Sequence, residues 1–138
     1  MPIEFKWHVE DFIYEIYAFG DLNAEDVKEL HDMELTLLEN TTAPVLHGIL
    51  NFSDATSRPL QLLELSRIFD MERIRHTQHR RGWMILIGIN NPVQHFVTAA
   101  VTRLLRLRFR QANDIEDALA FLYSMSMPEN ISEKIKAG

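Results

Sequence analysis

The chain has 138 residues, 46% of them hydrophobic and 25% charged, with no cysteine. That length fits one domain able to bury a core without covalent staples, and the composition excludes disulfides and thiolate metal sites. The formal net charge of −6 is unevenly spread, at −10 over residues 1–70, +7 over 71–112 and −3 over 113–138; intramolecular complementarity is the expected reading, with self-association or an anionic ligand as alternatives.

The opening MPIEFKWHVEDF carries acids where a secretory leader needs a basic start, and the longest apolar run, WMILIGI over residues 83–89, is too short to span a bilayer. A cytoplasmic protein without a membrane partner is expected. Residues 5–9, FKWHV, alternate apolar and polar as a half-buried strand does. Residues 12–17 are aromatic and β-branched and predict a second strand. Glu10-Asp11 between them predicts a hairpin, and Gly20-Asp21 predicts a break.

Asn23 with Glu25 and Asp26 behind it predicts a capped helix start. The helix should reach about residue 40, with Val27, Leu30, Leu37 and Leu38 facing the core. His31 and Glu34 flank that stripe and are expected at its solvated edge. Pro44 precedes a strand over 45–52, in which His47 is the one long polar residue and is expected to be a hydrogen-bonded core histidine.

The connection NFSDATSRP, residues 51–59, crowds hydroxyls, an acid and an arginine between two apolar segments. Pro59 suits a first helical turn and predicts a helix over about 59–72, for which Ser57 is the candidate cap. Leu62, Leu65, Ile68 and Phe69, together with Leu60 and Leu63, spread apolar side chains around most of that helix. One stripe is enough for a surface helix, so this set is a candidate subunit interface and predicts a homodimer.

Residues 73–82, RIRHTQHRRG, read as a basic loop, and His76 and His79 within it as solvated rather than metal-binding, given the surrounding arginines. Residues 83–89 form an unbroken apolar run, the pattern of a central strand covered on both faces. Asn91 and Pro92 predict the next helix start, after which Val93, Phe96, Val97, Ala100 and Leu104 form one stripe. Residues 107–112 predict a short strand, and Asp114 caps a last helix with Ile115, Ala118, Leu119 and Leu122 inward. The arginines at 103, 106, 108 and 110 are expected at a solvated edge, paired with the acidic first helix; nucleic-acid binding would ask for a basic domain or a reading module. Residues 128–138 are expected to be a loose tail after one domain over 1–127.

The order ββαβαβαβα is an α/β domain with a mixed, mostly parallel sheet, an antiparallel N-terminal hairpin and about four helices. No glycine-rich phosphate loop, nucleophile elbow or metalloprotease motif occurs. Neither a cofactor nor a metal is predicted. Ligands of open parallel sheets collect beyond the carboxyl ends of the strands. There, Ser53, Asp54 and Arg58 would face Asn90 and Asn91 if the two strands are neighbours.

The run LHGILNFS followed by DATSRPLQLLEL, with WMILIGINNPV and the RFRQANDIEDALAFL ending, resembles the STAS-domain family of anti-sigma-factor antagonists over about residues 5–125, and is most similar to its divergent bacterial branch. The resemblance implies a regulatory, protein-interaction domain whose partner is a kinase or an anti-sigma-like protein. It also implies a phosphorylated hydroxyl at the start of the second helix. Ser57 is the best positional match and Thr56 the next, although the family's acid before the hydroxyl and glycine after it are absent. The alternative expectation is a binder of a small anionic ligand, a nucleotide, metabolite or lipid. For an enzyme, Asp54 and His95 would be the loop-proximal acid or base candidates.

Overall fold

The computed structural model describes residues 3–57, 69–88 and 108–125. Five strands form one sheet in sequential order: β1 (Ile3–Val9), β2 (Ile13–Leu22), β3 (Leu46–Ser57), β4 (Arg81–Ile87) and β5 (Phe109–Ala112). β1 runs antiparallel to β2, and every later pairing is parallel. The described residues add three α-helices, α1 (Ala24–Asn40), α2 (Met71–Thr77) and α3 (Ile115–Ser124), with a short 3-10 turn at Gln78–Arg80. The α/β class and the mixed sheet match the sequence reading. The helices expected over 59–68 and after Asn91, and the tail after 128, lie outside the described residues.

Alternation along the strands sorts the core into two layers. On one face Tyr14, Ile16, Leu46, Leu50, Met84 and Leu86 meet Leu30 and Leu38 of α1. On the other, Ile13, Ile49, Ile85 and Ile87 meet Ala118 and Leu122 of α3. The unbroken apolar run of β4 is thus explained: its successive side chains point into different layers, and both are covered. Full burial of one such isoleucine stabilises the fold by about 1.5–3 kcal/mol.

The ends of the elements follow local chemistry. Asn23 accepts from the Asp26 amide while Asp26 accepts from the Asn23 amide, a reciprocal capping box. Asp114 caps α3 through the Asp117 amide. Asp11 turns the hairpin at φ 65°, a left-handed conformation that aspartate tolerates.

Three expectations need correcting. The segment read as a loop over 73–82 begins as helix α2, because Asp70 caps it by accepting from the Arg73 amide and Ile74 is buried against Leu35. One buried apolar residue gives no visible period, so the pattern was polar throughout. Residues 69 and 70 precede this helix rather than belonging to the one expected to reach 72. The Phe69 ring meets His31 edge-on at 4.9 Å and joins the Leu35–Ile74 cluster.

The third correction is His31 and Glu34, which are buried, not solvated, at 5% and 3% exposure. Glu34 accepts a 2.6 Å hydrogen bond from the Tyr14 hydroxyl and lies 3.5 Å from the Arg81 guanidinium. Both partners come from distant strands, so a helix-stripe argument could not see them. Burial, then the Glu34 charge, hold the Tyr14 hydroxyl well above its usual pKa, so it stays a donor. Gly48 lies under the Tyr14 ring, where a Cβ would be 2.4 Å from ring atoms. Arg73 bridges the basic and acidic segments again, reaching Asp32 at 3.3 Å and Glu39 at 2.5 Å. Arg80 donates to the carbonyls of Leu38 and Thr41. The expected complementarity therefore exists, made among the described residues by Arg73 and Arg81. Of the arginines at 103, 106, 108 and 110, Arg110 lies 4.4 Å over the Phe121 ring, Arg108 is exposed, and 103 and 106 lie outside the described residues.

Tyr14→Phe should lower stability by about 1–3 kcal/mol in chemical denaturation, because it leaves the buried Glu34 carboxylate short of a donor. His31 supplies a second test. Burial, and then the Arg81 charge, lower its pKa from 6.5 to about 4. Below pH 6.5 the unfolded chain takes up a proton that the folded chain refuses, so stability falls with pH until about pH 4, by about 2–3 kcal/mol in all. Denaturation midpoints measured from pH 7.5 to 4 should show this slope, and His31→Gln should flatten it.

Candidate functional site

The run Asn51 to Ser57, expected as a loop after a strand ending near 52, is itself strand. β3 stays in the ladder, with Asp54 opposite Phe19, Ala55 opposite Gly20, Thr56 opposite Asp21 and Ser57 opposite Leu22. β2 correspondingly runs through the expected break, with Gly20 at φ 76° inside the strand. The parallel partner supplies backbone bonds that neither segment's composition advertises.

A bulge makes this extension possible. Tyr17 pairs with Asn51 and Phe19 with Asp54, so β3 has one residue more than β2 between those pairs. The Asn51 carboxamide oxygen accepts from the Ser53 amide at 3.0 Å and from the Ser53 hydroxyl at 2.6 Å, satisfying a donor at the disrupted ladder. The Asn51 amide group donates to Glu15 at 3.0 Å. Glu15 is buried at 5% exposure, and its other oxygen meets His8 Nε2 at 2.7 Å and Lys6 Nζ at 4.0 Å. A line of side chains from β1 through β2 to β3 therefore holds the bulge that starts the polar strand end.

The end itself is acidic and exposed. Tyr17 donates its hydroxyl to Asp54, and this bond is the main reason its pKa is raised. Asp54, Thr56 and, across the ladder, Asp21 are exposed. On the other side Gly88 ends β4 at φ 88°, and a Cβ there would be 2.5 Å from the Phe52 carbonyl carbon and the Ser53 nitrogen. Only glycine fits this close approach. β3 and β4 are parallel neighbours, with Asn51 opposite Ile87, and Gly88 therefore lies beside Phe52–Ser53.

Of the sequence candidates, Ser53, Asp54 and Thr56 are gathered at this strand end, and Ser57 has its backbone there. Arg58, Asn90, Asn91, Leu62, Leu65, Ile68 and His95 lie outside the described residues. His47 is structural, its Nδ1 accepting from the Trp83 amide at 2.9 Å; burial, then Arg108, lower its pKa. His76 and His79 are exposed. Among the described residues no group of three His, Cys, Asp or Glu side chains could hold a metal ion. Sequence reasoning missed Glu15, His8, Asn51 and Tyr17. The available signal was Glu15, an acid inside the otherwise apolar run IYEIY.

These features define an α/β domain with a SpoIIAA-like fold. The chain is similar to an uncharacterized DUF3478-family protein with a SpoIIAA-like fold from Shewanella loihica PV-4, at 19% identity over 87% of this chain and 91% of that one, with a TM-score of 0.57. It is likewise similar to the anti-sigma factor antagonist SpoIIAA in its unphosphorylated form, at 17% identity over 91% and 99% of the two chains, with a TM-score of 0.56. No family model and no curated protein matches the chain. No helix among the described residues is long and apolar enough to cross a membrane.

Asn51→Ala should cost about 1–3 kcal/mol by leaving Glu15 with an unmet acceptor. Hydrogen exchange should also speed up at the Ser53 amide, which loses its acceptor, while the Ile85 amide in the core of β4 keeps its protection relative to global stability.

Proposed function

We propose that the chain is a regulatory domain that acts through protein contact, with the exposed end of β3 as its switch. The observation that carries this reading is the register of Thr56. This exposed hydroxyl sits opposite Asp21 and two residues from Asp54, in a strand end that is still paired to β2. A phosphate there would bring roughly −1.5 to −2 charges against two carboxylates. Like charges directly across a ladder are destabilising, so the modified end would separate from β2. A partner that reads the paired end would then lose its surface. Ser57, one residue on, is the second candidate hydroxyl.

The likeness to an anti-sigma factor antagonist named in its unphosphorylated form supports the same reading, and suggests a kinase or an anti-sigma-like protein as the partner class. The chain would act as one domain in the cytoplasm, as a homodimer through Leu62, Leu65, Ile68 and Phe69. A small anionic ligand is the weaker alternative. The described part of the edge is acidic, and the Ser53 hydroxyl is already committed to Asn51.

Intact-mass and peptide mass spectrometry of protein from its native cells should find phosphate on Thr56 or Ser57. Thr56→Glu should speed amide exchange from Asp54 to Ser57 and release a co-purifying partner, whereas Thr56→Val should do neither. Unmodified hydroxyls under all growth conditions would refute the switch. A rise in melting temperature with inorganic phosphate or a nucleotide, abolished by Arg58→Ala, would favour the ligand reading.

A further inference from the structure

The geometry points to a second interaction surface, a groove between the edge strand β1 and helix α1 that takes an extended, basic segment of a partner protein as an added strand. It lies on the α1 side of the sheet, away from the end of β3, and stands without the switch proposed there.

Three observations carry it. The groove has a volume of about 650 Å³, with Phe5 and Trp7 of β1 on one wall and Met33 and Leu37 of α1 on the other. Trp7, Met33 and Leu37 border the core without being buried in it, and Phe5 is 37% exposed. β1 is also the last strand of the sheet among the described residues, so one side of its backbone has no ladder partner there. Unpaired strand edges are templates for a further strand. A groove between such an edge and a helix lets the added strand place alternate side chains on an apolar floor. The third observation is charge. Asp11 and Glu29 lie at the groove with no ion-pair partner among the described residues, and Asp32, also there, is shared with Arg73.

This charge selects the occupant. Two copies of this chain paired edge to edge would bring two acidic rims together, which opposes self-association by this route. An extended segment with valine-like residues facing α1 and arginine or lysine on that same side satisfies the backbone, the floor and the rim together.

The probe is an end-blocked heptapeptide, RTVTVTR, added to the isotope-labelled full chain. NMR shifts should concentrate on Ile3–Val9 and on the groove side of α1, and previously fast-exchanging β1 amides should become protected. Glu29→Gln should weaken binding by about threefold, the size expected of one exposed charge contact, and ETVTVTE should bind far more weakly. RTPPVTR, which lacks a ladder donor in either register, should not protect β1. Shifts confined to β5 or to the end of β3, undiminished binding of ETVTVTE, full binding of RTPPVTR, or a dimer that buries β1 would each overturn the proposal.

Discussion

Glu34 sits beneath the sheet, accepts the Tyr14 hydroxyl and faces the Arg81 guanidinium. Taking a carboxylate and a guanidinium out of water costs several kcal/mol per ion, and their attraction offsets this only where geometry and further hydrogen bonds are good. Here the offset is incomplete, since Arg81 Nε is buried with no hydrogen-bond partner among the described residues. A cluster of this kind contributes little net stability but strongly penalises any arrangement in which one member is missing. It therefore fixes α1 against β2 and β4 at once. Tyr14 can take part because Gly48, between those strands, presents no Cβ beneath its ring.

Once α1 is fixed, its remaining acids are distributed by function. Asp26 closes the cap, Asp32 and Glu39 hold Arg73, and Glu29 is left at the groove beside β1. Part of the charge asymmetry along the chain is thus internal, used in holding α2 and the start of β4 onto α1.

The opposite layer has its own polar line, from His8 through Glu15 and Asn51 to Ser53. Its consequence is local. Asn51 absorbs the bulge in β3, the strand resumes pairing after it, and Asp54 and Thr56 are carried past the apolar core in a defined conformation. A flexible loop with the same residues would present them in many geometries, and a modification would have no ladder to break. The result here is a rigid polar strand end next to the glycine-tight end of β4.

Much of the architecture was legible in the sequence because local rules and tertiary demands agreed. Asn23 and Asp114 announced their helices through side-chain caps, and the continuous apolar run of β4 could only be a strand covered twice. The failures share one cause. The end of β3, the extension of β2 through Gly20, and the burial of His31 and Glu34 all depend on partners far away in the chain. α2 was hidden for a different reason: of its two buried residues, Ile74 and Thr77, only one is apolar, which gives no apolar period. Composition and spacing report what a segment prefers alone. Only the assembled sheet decided that NFSDATS is strand, that Glu15 and Glu34 lie in the interior, and that Asp21 stands opposite Thr56, because pairing and desolvation are set between segments and not within them.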